Sequence, residues 1–283
     1  FPAWLIATVD LAFLPALAVT LAIPLLSTGQ RRNLIFLPLL GALVVADLMV
    51  HLELMGYAER SARAGTFLGL NLVVLLIVIM GGRVIPFFTE RTLPGVVPKR
   101  WRTVEWSSPA TVVAFLIAEL VLPNSMLAGG VAALAAASNA VRFIGWYTNR
   151  FWSVPLLWVL HLGYAWVVAG FGLKALAGLG LVSPQYTVHA FTVGGIGVLT
   201  LGMMARVSLG HTGRPLKATT SVAIAFALVN FAAAARGIFP MVFPGWLPHL
   251  VAVSGGLWIA AFAVFLAVYT PILTQPRVDG RLG

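Results

Sequence analysis

Residues 189 to 217 read HAFTVGGIGVLTLGMMARVSLGHTGRPLK. The run is apolar from His189 onward, interrupted by Gly194, Gly195, Gly197 and Gly202 before it reaches Arg206 and His211. At ~1.5 Å per residue, an unbroken helix from His189 to His211 spans roughly 33 Å, about the thickness of a hydrocarbon core. The stretch therefore reads as a membrane-crossing helix with a histidine near each face. Lipid does not solvate an ionisable side chain, so every such group inside a span needs a partner and is a functional-site candidate.

The rest of the chain agrees with a membrane setting. Of its 283 residues 60% are hydrophobic and only 9% charged, and the mean hydropathy is +0.98. That leaves too little polar surface for a water-soluble globule of this size. The formal net charge of +10 is spread over short loops rather than gathered in one stripe, which argues against nucleic acid as a partner. There is no cysteine, so disulfides, iron–sulfur clusters, thiolate-ligated haem and Cys-bound zinc or copper are excluded. Any metal must use histidine, methionine, tyrosine, carboxylate or backbone ligands.

Apolar runs and their breakers predict an all-α, polytopic transmembrane helix bundle with about nine spans. These are Ala3 to Leu26, Leu34 to Met55, Thr66 to Phe88, Pro109 to Met126, Leu127 to Tyr147, Trp152 to Lys174, Tyr186 to Val207, Thr219 to Phe239 and Pro248 to Tyr269. Each is close to the ~20 residues a spanning helix needs, and the short alternating segments of a β-barrel are missing. Residues 1–283 read as a single transmembrane domain. Phe1 is not an initiating residue and enters a span at once, so the chain reads as a fragment truncated at its N-terminus.

Loop charge sets an expected orientation. Arg31, Arg32, Arg91, Lys99, Arg100, Arg102, Arg150, Arg214, Lys217, Arg277 and Arg281 fall on one side, and Arg60, Arg63 and Lys174 on the other. The positive-inside rule makes the first side cytoplasmic, with the fragment starting outside and ending inside. The longest loop, Thr89 to Ser108, is then cytoplasmic and amphipathic, and its Trp101 and Trp106 suit the headgroup region.

Candidate residues lie within or at the ends of spans. Asp47 and His51 are four apart and share a helix face, so the acid can orient the imidazole for a metal or a proton; a plain buried ion pair is the alternative. Asp10, His51 and His189 are expected in the outer half. His161, near the midplane in WVLHLGYAW with Tyr164 one turn on, must hydrogen-bond across an interface or ligate a cofactor. His51, His161 and His189 are expected to approach one another. His211 belongs with Arg206, Arg214 and Arg83 near the other face, either as a site for an anionic group or as loop structure with snorkelling arginines. His249 reads as a structural residue at a helix start, and Glu119, Asn139 and Asn230 as interhelical hydrogen-bonding groups.

HAFTVGGIGVLTLGMMARVSLGHTGRPL, together with GGRVIPFFT (Gly81 to Thr89), MVHLELMG (Met49 to Gly56), WVLHLGYAW (Trp158 to Trp166) and LVNFAAAAR (Leu228 to Arg236), resembles the NnrS family. The blocks occur in series across most of the chain. The resemblance implies a multi-pass protein of the bacterial inner membrane with about twelve helices. It further implies haem and copper, and a part in the response to nitric oxide. Set against that pattern, about three helices, one carrying a histidine, would precede Phe1. His51, His161, His189 and His211 are the haem or metal ligand candidates, supported by Asp47, Tyr164, Arg83, Arg206 and Arg214; expected partners are membrane lipids and nitric oxide or its iron adducts.

Two other classes remain open on the residues alone. A transporter or channel with an intramembrane His/Asp/Arg site would carry discontinuous helices and inverted repeats, and no repeat is visible. A structural or assembly protein would use its intramembrane charges only to fix helix packing. Whether the chain is catalytic, and its oligomeric state, are not legible.

Overall fold

The computed structural model describes residues 2–29 and 33–280. Arg31, Arg32 and Arg281, counted above for orientation, lie outside the described residues. The described chain is helical from end to end, with helices α1 (Ala3–Ser27), α2 (Phe36–Leu54), α3 (Ser61–Thr92), α4 (Arg102–Val121), α5 (Met126–Trp146), α6 (Pro155–Gly178), α7 (Pro184–His189), α8 (Leu199–His211), α9 (Thr220–Gly237), α10 (Phe239–Val242) and α11 (Leu247–Thr274). Among the described residues nine helical stretches are long and apolar enough to cross a membrane. They match the nine expected spans one for one. Between α7 and α8 the backbone is wound as a π-helix, Ala190–Val198, so Pro184–His211 forms one continuous stretch.

Helix ends differ from the expected ones for identifiable reasons. α3 runs on past Pro86 to Thr92, and α4 already starts at Arg102. The loop expected over Thr89 to Ser108 therefore shrinks to residues 93–101. Trp101 and Trp106 remain exposed, as a headgroup position requires. Lys174, placed above in a loop, is a correction: α6 continues to Gly178 and the lysine is 4% exposed. Its ammonium is neutralised inside by Glu119 Oε1 at 2.6 Å and Asn124 Oδ1 at 2.8 Å, so it has no need of water. Asn124 sits at φ 57° in the turn between α4 and α5, a conformation asparagine tolerates better than most residues.

The chain divides into two compact units, one ending at Leu76 and one starting at Ile77. In the first, α1 and α2 pair, and α2 meets the start of α3 where Gly65 lets the backbones close in. A Cβ there would sit 2.8 Å from the Met49 Cβ. Glu53, which faces away from His51, accepts the Ala62 amide at 2.7 Å and so satisfies an open donor at the start of α3.

In the second unit α6 is the most enclosed helix, and its small residues set the packing. Gly178 meets Gly129 of α5 so closely that a Cβ on Gly178 would lie 2.6 Å from the Gly129 Cα. Against the π segment and α8, Trp166 fills the space at Gly194, Val167 at Gly195, Leu199 at Gly163 and Val159 at Gly202. This small-to-large interlock fixes the register of the two stretches. The expected interhelical amides are also present: Tyr164 donates to Asn139 and Trp166 Nε1 to Asn230 at 3.1 Å.

Candidate metal and cofactor sites

In the first unit three ligand-type side chains converge. His51 is 6% exposed, with Nε2 lying 3.0 Å from Asp10 Oδ2 and 3.7 Å from Asp47 Oδ1. One ligand atom from each of the three lies within 4.8 Å of the others. Bonds of ~2.0–2.2 Å to a tetrahedral ion separate neighbouring ligand atoms by about 3.4 Å, so the triad needs little movement to close on a metal. Asp47 sits one turn before His51 on α2, as its spacing requires. Asp10 comes from α1 and makes the shorter contact, a partner that periodicity along one helix does not reveal.

In the second unit His161 is fully buried, with its ring stacked on Phe151 at 4.2 Å and set edge-on to Phe143 at 6.1 Å. Its Nδ1 lies 2.9 Å from the Leu157 carbonyl oxygen. A carbonyl can only accept, so Nδ1 carries the proton and Nε2 bears a lone pair. The Trp146 backbone also approaches the ring. Even so, Nε2 is buried without a hydrogen-bond partner of normal geometry. An imidazole with one nitrogen tied to backbone and the other making no regular hydrogen bond has a lone pair free to serve a metal.

Beside it runs a polar network that the sequence reading did not assemble. Arg142 donates through Nε to Glu105 Oε2 at 3.1 Å and through Nη1 to the Val78 carbonyl at 2.8 Å, and it lies over the Trp146 ring at 5.3 Å. Its guanidinium occupies the notch at Gly82, where any Cβ would collide with it, while Gly81 is covered by the Tyr164 ring at 3.1 Å. The two glycines of GGRVIPFFT thus make room for side chains from α5 and α6. Tyr164, expected to support His161, instead serves Asn139 and Arg142 and packs on Trp146 at 4.8 Å. A loop over Thr89 to Ser108 would hold Glu105 away from the bundle; its place in the first turn of α4 turns it to Arg142 instead.

His161 and His189 are not brought together. The interlock sets Gly163 beside Leu199 and Val159 beside Gly202, so His161 lies level with residues 200–201. His189 is some eleven residues back along that stretch, on the order of 15 Å away along the axis. No single ion with ~2 Å bonds links them. His189 is half-buried at the junction of α7 and the π segment, with the Gly237 backbone packed against it and Arg236 as an electrostatic neighbour. His51 belongs to the other unit.

The grouping expected around His211 disperses. Arg206 turns to Thr92 Oγ1 and the Phe88 ring, Arg214 reaches Gln275 Oε1 at 3.2 Å, and His211 itself is exposed. Arg83 is half-buried and engaged within its surroundings. What holds the HTGR turn is the segment after α11: Arg277 donates to the His211 carbonyl at 2.8 Å and the Val278 amide to the Thr212 carbonyl at 3.2 Å. Asp279 grips Arg277 with both oxygens and raises the proton affinity of that guanidinium above its ordinary value. His249 is exposed beside Trp246, in keeping with a structural role.

A family model described as NnrS protein matches residues 1–277. The chain belongs to the NnrS family. The match covers both units, so each of the two sites falls inside the NnrS region. Comparison with curated proteins and with solved structures gives no match.

The donor sets in this NnrS chain fit the groups that its family resemblance implies. Two carboxylates and an imidazole form an N/O set suited to copper as Cu(II), and less suited to Cu(I), which prefers sulfur. His161, with a lone pair on Nε2 and aromatic walls, is the donor type that haem iron takes.

Proposed function

We propose that this chain is a haem- and copper-binding protein of the bacterial inner membrane that contributes to the response or resistance to nitric oxide. The observation that carries the reading is the convergence of Asp10, Asp47 and His51 in a chain of this family. Three ionisable groups brought together within apolar helices are costly unless something balances them. In this reading Asp10, Asp47 and His51 hold copper, and His161 presents Nε2 to haem iron. Bound together, the two metals would supply one-electron redox chemistry toward nitric oxide or its iron adducts.

The chain's own residues set the conditions for that chemistry. Leu157 fixes the His161 tautomer, and Phe143 and Phe151 exclude water from the ring. Asp10 and Asp47 both approach Nε2 of His51, so the three side chains present their ligand atoms toward one point. In this reading the positive-inside rule orients the chain with its N-terminal end toward the periplasm and its C-terminal end toward the cytoplasm, which turns the Asp10–Asp47–His51 cluster toward the outer face.

The test is cofactor analysis of the full-length protein purified from its own membranes. His161→Ala is expected to abolish the haem absorbance bands and leave copper in place, while His51→Ala removes copper and leaves haem. If both variants keep both cofactors at wild-type occupancy, the assignment of sites is wrong. If the wild-type protein carries neither, the functional reading fails with it.

A further inference from the structure

Where α6 and α9 meet, several of the residues between them are small. Ala165 and Ala169 stand one turn apart on α6, and Ala227 and Ala234 two turns apart on α9, so each pair shares a helix face. Together they leave a cavity of about 520 Å³, within the ~300–1,000 Å³ usual for small-molecule sites. Trp158 and Trp166 of α6 border it, and none of the residues that line it is charged.

One side-chain amide, Asn230, belongs to this wall. It lies ten residues beyond Thr220, about 15 Å along α9, near the middle of a ~30 Å hydrocarbon core. Trp166 Nε1 can only donate and the Phe226 carbonyl can only accept, so their contacts at 3.1 and 2.7 Å fix which way the amide faces. Oδ1 takes the indole and Nδ2 takes the carbonyl, which uses one of the two Nδ2 hydrogens. Among the described residues nothing accepts the second hydrogen. Unspent hydrogen-bonding capacity at that depth is costly, because lipid tails offer no partner.

The cavity therefore suits a ligand that is neutral, soluble in lipid, flat enough to lie beside indoles, and equipped with an acceptor. An acyl chain meets only the first two conditions. We propose that it binds a quinone, with a ring carbonyl accepting from Asn230 Nδ2, the ring beside Trp158 and Trp166, and the apolar tail toward the lipid. Trp158 also packs on the cluster that contains Phe151, whose ring stacks on His161 at 4.2 Å. Two side chains thus connect the cavity to the candidate haem ligand. Choosing a quinone among flat carbonyl compounds rests on the function proposed above, in which the metals need a lipid-borne source of electrons; the cavity and its amide do not.

The test uses full-length protein, purified in detergent and stripped of lipid, with occupancy read by native mass spectrometry. Two probes share one alkyl tail, a benzoquinone and a benzene without carbonyls, and phosphatidylethanolamine is the competitor. The wild type is expected to take the quinone about tenfold more tightly than the alkylbenzene, the worth of one hydrogen bond to a buried donor. Asn230→Leu is expected to bind the two equally. Should that variant not accumulate, Ala169→Leu and Ala234→Leu, which put side chains into the cavity, are each expected to lower quinone occupancy about tenfold while haem and copper content stay at wild-type levels. Equal binding of the two probes by the wild type, or phospholipid that the quinone does not displace, gives the groove to acyl chains and overturns the proposal. An unchanged quinone preference in all three variants overturns it as well. Quinone binding by protein that carries neither haem nor copper keeps the site and overturns the function proposed above; cofactor-loaded protein that binds no quinone does the reverse.

Discussion

Replacing Lys174 with Met tests how the buried charges of the second unit are balanced. Lys174 Nζ lies 2.6 Å from Glu119 Oε1, and the two side chains are 5% and 8% exposed. At an effective dielectric near 20 that separation corresponds to a gross attraction of about 6 kcal/mol. Desolvation of both ions consumes much of it, so the pair adds little net stability over apolar residues of the same size. Removing only the ammonium is different, because it strands the Glu119 carboxylate in an apolar setting. The expected cost is about 3–5 kcal/mol for Lys174→Met and similar for Glu119→Leu. The double variant is expected to lie within about 2 kcal/mol of wild type, giving a strongly non-additive cycle. The assay is reversible unfolding in mixed micelles, followed by circular dichroism. Additive costs, or a loss below about 1 kcal/mol in the single variants, would refute the claim that the pair is desolvated and mutually dependent.

Tyr164→Phe removes the hydroxyl that serves Asn139 Oδ1 and is expected to cost about 1–3 kcal/mol in the same unfolding assay, since a buried acceptor is left open. Gly82→Ala puts a methyl group where the Arg142 guanidinium sits, and a similar 1–3 kcal/mol of overpacking is expected, seen as lower stability and lower membrane yield. At the candidate copper site Asp10→Asn is expected to reduce metal occupancy at least tenfold, and Asp47→Asn by less. Asp10 makes the contact of 3.0 Å and Asp47 that of 3.7 Å, so equal losses on metal analysis would contradict this ranking.

The fold was largely legible because the ~20-residue apolar run is among the strongest signals a sequence carries. Helix ends were not, since a membrane helix continues for as long as its polar residues find partners. Lys174 looked like a loop residue until Glu119 and Asn124, more than forty positions away, appeared beside it. The same contrast runs through the sites. Asp47 and His51 were readable as a pair because spacing along one helix fixes them; Asp10 and the Glu105–Arg142 pair depend on which helices meet. His161 stands out in the sequence as an imidazole inside a span, yet its Nδ1 partner is the Leu157 carbonyl of its own helix rather than a group across an interface, and depth counted along separate helices does not give the register that parts it from His189.

The π-wound stretch Ala190–Val198 has a mechanical consequence. Each of its turns contains one residue more than the hydrogen-bond ladder on either side, so the segment stores surplus length inside an otherwise ordinary span. Rewinding one such turn to α geometry would pass that residue into the neighbouring helix and rotate one flank against the other by about 100°. The winding therefore sets the direction in which α8, with Arg206, faces relative to α7 and His189, by about 100° for each surplus residue.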